Sequence, residues 1–267
     1  MHGYRAISTA LSNWKSSFGD FVRQLDEDGV PYVSYTKLSC VESCELRYLL
    51  EYVERVEFDE PLYFTKGKVF HDAASLAYQQ LGQGQGDPRP ILQIVNKHND
   101  DEDQTHLMNA INLLLDNQHQ GYEVVATELP FVLSLGARQR PLLGVIDLLL
   151  RKGDTFLVVD HKTGKSFYDQ DAFQLDLYRE HVRRAFKPRR CLACFDEYRW
   201  VNSLDRIRKP AFRRTPVTSR PWSSSLRRIH VGLTSIRRIE RNMTADSDGD
   251  CFRCHLRTVC PQATRCW

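Results

Sequence analysis

"LLGVIDLLLRKGDTFLVVDHKTGK", residues 142–165, is the most strand-like sequence in the chain, and it carries charge where strands usually avoid it. Two apolar runs, "GVIDLLL" and "TFLVVDHK", flank a short "KGD" turn, which predicts a tight β-hairpin. Each run holds an aspartate, and a charge among Val, Leu and Ile is costly unless something pairs with it. In such a hairpin Asp147, near the end of one strand, and Asp160, near the end of the next, can converge on one point. Lys162 shares parity with Asp160, so both side chains face the same side of their strand. Two readings follow. The carboxylates supply hard oxygen ligands to Mg²⁺ or Mn²⁺, with the lysine orienting a water or stabilising phosphate charge. Alternatively, Asp160 and Lys162 form a buried ion pair.

Around the hairpin, period and punctuation predict an α/β arrangement. Arg5 to about Leu25 reads as one helix. "SYTKLSCVESCELRYLLEYV" (34–53) reads as a capped helix with apolar spacing of three and four. "TKGKVFHDAASLAYQQL" (65–81) is a further helix, ended by the flexible stretch "GQGQGDPRP" (82–90). A helix over "QTHLMNAINLLLDNQ" (104–118) precedes the strand "YEVVATELPFVLSL" (122–135). Beyond the hairpin come the helix "DAFQLDLYREHVRRAF" (171–186) and the strand "RCLACFDEYRWV" (190–201). "KPAFRRTPVTSRPWSSS" (209–225) reads as an irregular loop leading to a basic amphipathic helix. There Leu226, Ile229, Leu233, Ile236 and Ile239 form one stripe, with Arg227, Arg228, Arg237, Arg238 and Arg241 off it.

At 267 residues and 42% hydrophobic, the chain can bury one large core, and a single domain over 1–267 is expected. Its parts would be a core at 67–200, a basic loop and helix at 201–241, and cysteine-bearing segments at 34–60 and 242–267. No apolar run approaches the ~18 residues of a membrane span. The first residues lack the apolar core of a signal peptide, so a cytosolic protein without membrane contact is expected. Net charge is +3, yet residues 183–241 hold 17 Lys and Arg against 4 Asp and Glu, leaving −10 elsewhere. A segment this one-sided is either a solvated face or a surface for a polyanion, nucleic acid first. Trp200, Phe212 and Trp222 lie among its arginines, as base-stacking residues or as packing.

Eight cysteines in a cytosolic chain point to metal or redox chemistry over disulfides. Cys251, Cys254 and Cys260 form C-x2-C-x5-C in polar sequence, and Cys40 and Cys44, four apart on the expected helix, offer a fourth thiolate. Cys191 and Cys194 lie three apart on a strand, pointing oppositely, and read as packing. Four thiolates suit zinc or an iron–sulfur cluster.

The order "GKVFH" with His71, "GVID" with Asp147, "VDHKT" with Asp160 and Lys162, "QLDLY" with Gln174 and Tyr178, then the cysteine cluster, resembles the RecB-like nucleases of the PD-(D/E)XK superfamily. The resemblance covers residues 34–260. It implies a restriction-endonuclease-like mixed sheet flanked by helices, with helical additions and a C-terminal iron–sulfur clasp. By the same resemblance His71, Asp147, Asp160 and the backbone carbonyl of His161 bind Mg²⁺ or Mn²⁺, and Lys162 is catalytic. Gln174 and Tyr178 support the site or the DNA, and Glu128 is a further acid on the preceding strand. A [4Fe–4S] cluster would be held by Cys44, Cys251, Cys254 and Cys260, Cys44 standing where the family places its first ligand. Glu45 departs from the family there, which usually has proline. Arg227, Arg228, Arg237 and Arg238 would guide DNA.

The expected activity is metal-dependent hydrolysis of DNA phosphodiesters, as an exonuclease on single-stranded ends. With no helicase motif in the chain, unwinding would come from a helicase, recombination or CRISPR-adaptation partner. A non-cleaving nucleic-acid-binding or assembly subunit is the alternative. A zinc-stabilised DNA-binding protein with structural ion pairs in the hairpin is the third reading.

Overall fold

The computed structural model describes residues 4–59, 61–82, 89–96, 101–136, 139–204, 210–247, 249, 251 and 254–262. The chain divides into two compact units that alternate along the sequence. One comprises Met1–Pro61, Pro130–Gly144 and Arg220–Trp267; the other comprises Leu62–Leu129 and Val145–Ser219. The division cuts across the expected segments, because strands β2 (Glu123–Leu133) and β3 (Leu142–Lys152) each run from one unit into the other.

In the first unit, the helix expected from Arg5 to Leu25 is two helices, α1 (Tyr4–Asn13) and α2 (Phe18–Glu27). Ser17 breaks it: its backbone is extended and its hydroxyl accepts from Asp20 N at 3.1 Å, a cap that offsets the lost helical bond. Ile7, Phe21 and Leu25 pack with Val30, Tyr32, Val132 and Leu143. Strand β1 (Val33–Ser34) pairs parallel with Leu142–Leu143, and Ser34 caps α3 (Tyr35–Ser43). The helix expected over 34–53 also breaks, at Cys44, into α4 (Glu45–Tyr48) and a π-helical turn (Leu49–Val53). Helix α9 (Trp222–Asn242) buries Ile229, Leu233, Ile236 and Ile239, as its stripe predicts. It lies so close to α3 that a Cβ on Gly232 would fall 2.6 Å from Leu38 Cδ2.

The second unit contains α5 (Leu62–Gly82), α6 (Arg89–Val95), α7 (Asp101–Asp116), β4 (Thr155–Gly164), α8 (Ala172–Phe186), β5 (Arg190–Arg199) and β6 (Phe212–Pro216). Helix α6 begins inside the stretch expected to be flexible, of which residues 83–88 lie outside the described residues. Strand β6 replaces part of the expected irregular loop. The strands form a mixed sheet ordered β1-β3-β4-β5-β6, with β2 also on β3. β3 and β4 are antiparallel around the short turn, while β4 and β5 are parallel and joined through α8, the connection a parallel pair needs. On one face, Leu148, Leu150, Leu157, Val159, Cys194 and Tyr198 pack with Phe70, Ala74, Leu107 and Ile111 of α5 and α7. Helix α8 packs on β4 and β5 with Phe173, Leu175, Leu177 and Val182 buried. Helices therefore flank the mixed sheet, as the sequence implies. No helix among the described residues is long and apolar enough to cross a membrane.

Candidate active site

The hairpin register sets the site. Leu148 faces Val159, so one step further Asp147 comes opposite Asp160. Asp147 Oδ2 accepts from the backbone N–H of His161 at 2.7 Å, which closes the strand pair with a side chain where the ladder ends. Helix α5 brings His71, whose Nδ1 lies 3.5 Å from Asp147 Oδ2 and 3.7 Å from Glu128 Oε1. One ligand atom from each of His71, Glu128 and Asp147 falls within 4.8 Å of the others. Glu128 sits mid-strand with φ of +46°, a left-handed conformation that costs an L residue ~1–2 kcal/mol. Strain of this kind in β2 is held where its carboxylate meets the imidazole.

Lys162 Nζ lies 2.7 Å from Asp160 Oδ2 and donates to Gln174 Oε1 at 3.0 Å. Gln174 Nε2 in turn donates to Tyr178 OH at 2.7 Å, one helical turn along α8. The Asp160–Lys162 ion pair that parity allows is thus present, beside the remaining ligand-type groups. Burial pushes the Asp160 carboxyl up to about 6, with Asp147 raising it and Lys162 opposing. Burial raises Asp147 as well, against His71 and Lys162. Burial opposes charge on His71, but the carboxylates of Asp147 and Glu128 prevail and lift it to about 9. Asp147 and Asp160 are thereby short of positive charge, which a divalent cation would supply.

The side chain of His161 alternates to the other face of β4. It stacks on Tyr78 and is buried, which depresses its pKa to about 3. Its imidazole therefore has no place among the hairpin acids, and only its backbone is near them.

Strand β5 carries a second set of acids that hydrophobic periodicity alone does not mark. Asp196 and Glu197 of β5 are buried and point to opposite faces, and β6 answers both in register, Arg214 facing Asp196 and Arg213 facing Glu197. Arg213 donates to Glu197 at 2.6 and 2.8 Å and to the carbonyl of Tyr168, and Gln170 Nε2 donates to Glu197 at 3.1 Å. Glu197 is the register partner of Lys162, so this hub secures the segment between Lys162 and Gln174. Arg214 grips Asp196 through two nitrogens at 2.7 and 2.8 Å, with His119 at 3.0 Å. His119, Cys194 and Asp196 could hold an ion by distance, but the guanidinium already neutralises the carboxylate. The signal was available: "CFDEYR" puts two adjacent acids in an apolar strand, and "FRRT" supplies two adjacent arginines.

The four-cysteine group lies within the first unit. Cys44, Cys251, Cys254 and Cys260 line one cavity of about 220 Å³, with Leu46, Leu50 and Leu256 around them. A Cβ on Gly249 would come 2.6 Å from Cys44 Cβ, so only glycine fits that wall. Because the helix breaks at Cys44, Cys40 and Cys44 do not share a helix face as expected. Cys40 is buried, while Cys44 Sγ accepts from Arg47 N at 3.4 Å beside the cavity. Cys44, Cys254 and Cys260 are free thiols, and Cys251 is disulfide-bonded. Cys191 Sγ lies 4.0 Å from the Arg179 carbonyl and Cys194 Sγ 3.8 Å from Asp196, and neither lines this cavity.

Of the arginines expected on DNA, Arg228 is paired with Glu42, Arg238 with Glu45, and Arg237 donates to Gln139. Arg227 lines a surface depression with His230 and Thr234.

No curated protein matches the chain. The fold is similar to the crystal structure of a "Putative exonuclease" from Eubacterium rectale, at 11% identity and a TM-score of 0.59, covering 95% of this chain and 94% of that one. The structure of SSO0001 matches at 13% identity over 82% of this chain and 94% of that one, with a TM-score of 0.36 that is too low to carry an argument. The family model of the PD-(D/E)XK nuclease superfamily matches residues 32–261, a span that takes in both the hairpin acids and the C-x2-C-x5-C segment. With that match over most of its length, and a mixed sheet flanked by helices, the chain belongs to the PD-(D/E)XK nuclease superfamily.

Proposed function

We propose that this protein is a divalent-metal-dependent deoxyribonuclease that hydrolyses phosphodiester bonds from single-stranded DNA ends. The observation that carries the reading is the convergence of His71, Glu128 and Asp147, with Asp160 set opposite Asp147 by the hairpin and Lys162 held between Asp160 and Gln174. The donor set suits a hard cation, with carboxylate oxygens and one imidazole nitrogen, and Mg²⁺ or Mn²⁺ is the natural occupant. Such a cation supplies Lewis acidity toward a phosphodiester and toward water. Within the chain, Asp147, Asp160 and His71 would hold it, with Glu128 completing the set. Lys162, fixed by Gln174 and Asp160, places an ammonium where phosphate charge develops during hydrolysis. Tyr178 fixes the Gln174 amide, so Lys162 keeps one orientation.

The cysteine cavity would hold a [4Fe–4S] cluster through Cys44, Cys251, Cys254 and Cys260, with the Cys251 disulfide reduced. Apolar walls and a glycine at the closest approach suit a compact, thiolate-bound group. It would act as a clasp, tying residue 44 to residue 251, with no redox step in the hydrolysis. Zinc is the competing occupant.

The deciding experiment incubates end-labelled single- and double-stranded DNA with purified protein and Mg²⁺ or Mn²⁺, alongside iron, sulfide and zinc analysis of protein prepared without air. Progressive shortening of the single strand, abolished by EDTA, is expected, with iron and sulfide present. Intact DNA under both metals would sink the nuclease reading and leave a non-cleaving binding subunit. Zinc without iron would replace the cluster.

A further inference from the structure

Trp200 stands directly after β5, and its backbone N–H donates to the Gly164 carbonyl at 2.9 Å, which ties together the ends of the two parallel strands. The indole is partly exposed. Phe70 meets it edge-on at 6.3 Å, and Lys66 Nζ lies 4.7 Å from its centroid. That lysine is buried, donates to Asp103 Oδ1 at 2.5 Å and lies 2.6 Å from His106 Nδ1. An ammonium has donors only, so Nδ1 accepts and the imidazole carries its proton on Nε2. The His106 ring is nearly parallel to the indole, at 27° and 6.4 Å between centroids. Two aromatic planes are therefore fixed in place before any ligand arrives.

Both border a depression of about 620 Å³, lined also by Lys165, Asn202, Ser203 and Glu102. Lys165 follows Lys162 by three residues, about 10 Å at ~3.3 Å per strand residue. Lys66 precedes His71 by five, about 7.5 Å at ~1.5 Å per helical residue. The depression thus neighbours the candidate metal group along two separate elements of one unit. Lys66 is paired with Asp103, and the lining carries one further cation, Lys165, and one further anion, Glu102, whose Oε1 lies 3.6 Å from His106 Nε2. An isolated phosphate would find little net attraction there, whereas a planar base finds aromatic faces and polar edges.

We propose that this depression is a subsite for one unpaired nucleobase of a bound single strand, next to the nucleotide being cleaved; the proposal rests on the nuclease reading above. The base stacks on Trp200 and His106. The Asn202 amide, the Ser203 hydroxyl and the His106 Nε2–H meet its edge, and Lys165 reaches the adjoining phosphate. Duplex DNA, whose bases are stacked on one another, cannot use the subsite without unpairing.

The test binds a short oligothymidylate in EDTA, with tryptophan fluorescence and a labelled-strand affinity as readouts, on wild-type, Trp200→Ala, Trp200→Phe and Lys165→Ala protein. Trp222→Phe serves as control. Stacking predicts quenching in the wild type and the control that is absent from Trp200→Phe. Affinity should fall on the order of ten- to a hundredfold in Trp200→Ala. Unchanged affinity in Trp200→Ala, or quenching that persists in Trp200→Phe, overturns the subsite. Should Trp200→Ala fail to fold by thermal melting, the Trp200→Phe quenching and the Lys165→Ala affinity decide alone. Cleavage is scored separately, on labelled strands and on the p-nitrophenyl ester of thymidine 5′-phosphate, with Mn²⁺. Wild-type protein that cleaves while Trp200→Ala binds normally refutes the subsite and keeps the nuclease. Quenching at Trp200 without cleavage of either substrate does the reverse.

Discussion

Glu128 occupies a conformation that L residues seldom take, at the one place where its carboxylate meets His71. Glycine tolerates that φ, so Glu128→Gly relieves the strain while removing the carboxylate, and Glu128→Gln keeps the strain and loses the charge. The glycine variant should be the more stable of the two by about 1 kcal/mol in chemical denaturation, and both should bind Mn²⁺ more weakly than wild type. Equal stability would show that the backbone stores nothing. Lys162→Ala should remain folded by circular dichroism and lose nearly all cleavage, whereas Asp160→Ala should lose cleavage and divalent-metal binding together. Full cleavage by Lys162→Ala protein would leave its pair with Asp160 a structural one. Asp196 offers a test that does not involve metal. Burial opposes its charge, but hydrogen bonds from Arg214 and His119 prevail and hold it down at about 2. A depressed folded-state pKa stabilises the fold above the unfolded value near 3.8, and that contribution is lost as pH falls through 2. It amounts to about 2 kcal/mol. Asp196→Asn should therefore be less stable than wild type at pH 7, with a flatter stability curve between pH 4 and 2 in urea titrations.

At the level of elements, the break at Cys44 changes the meaning of the Cys40–Cys44 spacing. A continuous helix would put both thiols on one face; instead α3 ends at Ser43, Cys44 is extended, and its side chain begins α4. The helical period cannot reveal such a break, because "SCVESCELRY" keeps its apolar spacing through it. Cys44→Ala should yield protein without the brown colour of a cluster and with a lower melting temperature, while Cys40→Ala, Cys191→Ala and Cys194→Ala keep full iron. Iron retained by Cys44→Ala but lost from Cys40→Ala would reassign the ligand. Strand β6 was equally hidden. Its "FRRTP" lacks the alternation of a half-buried strand, since its arginines are there to answer the acids of β5. Paired charge across two strands is a tertiary fact, and single-strand patterning does not contain it.

Over the whole molecule, several of the described basic residues between 183 and 241 are paired within their own units. Arg213 and Arg214 neutralise buried acids, and Arg228 and Arg238 are paired with Glu42 and Glu45. Arg227→Ala should accordingly lower the salt slope of single-strand binding by ~1 and leave the melting temperature unchanged. Arg228→Ala and Arg238→Ala should lower the melting temperature slightly as well. An unchanged slope in Arg227→Ala would remove α9 from the path of the strand. The hairpin and the helices over 65–81, 104–118 and 171–186 were legible in the sequence, because local periodicity acts over a few residues. The cost of burying charge marked Asp147, Asp160 and Lys162, and His71 as a ligand came with the family resemblance. The opposition of Asp147 and Asp160 followed from parity and a two-strand register. The remainder needed the tertiary structure: Glu128 in its left-handed backbone, the β5–β6 ion pairs, the helix break at Cys44, and arginines bound to their own carboxylates. Each of these depends on groups brought together across tens or hundreds of residues, where the energy of an interaction is set by distance and burial and not by sequence spacing.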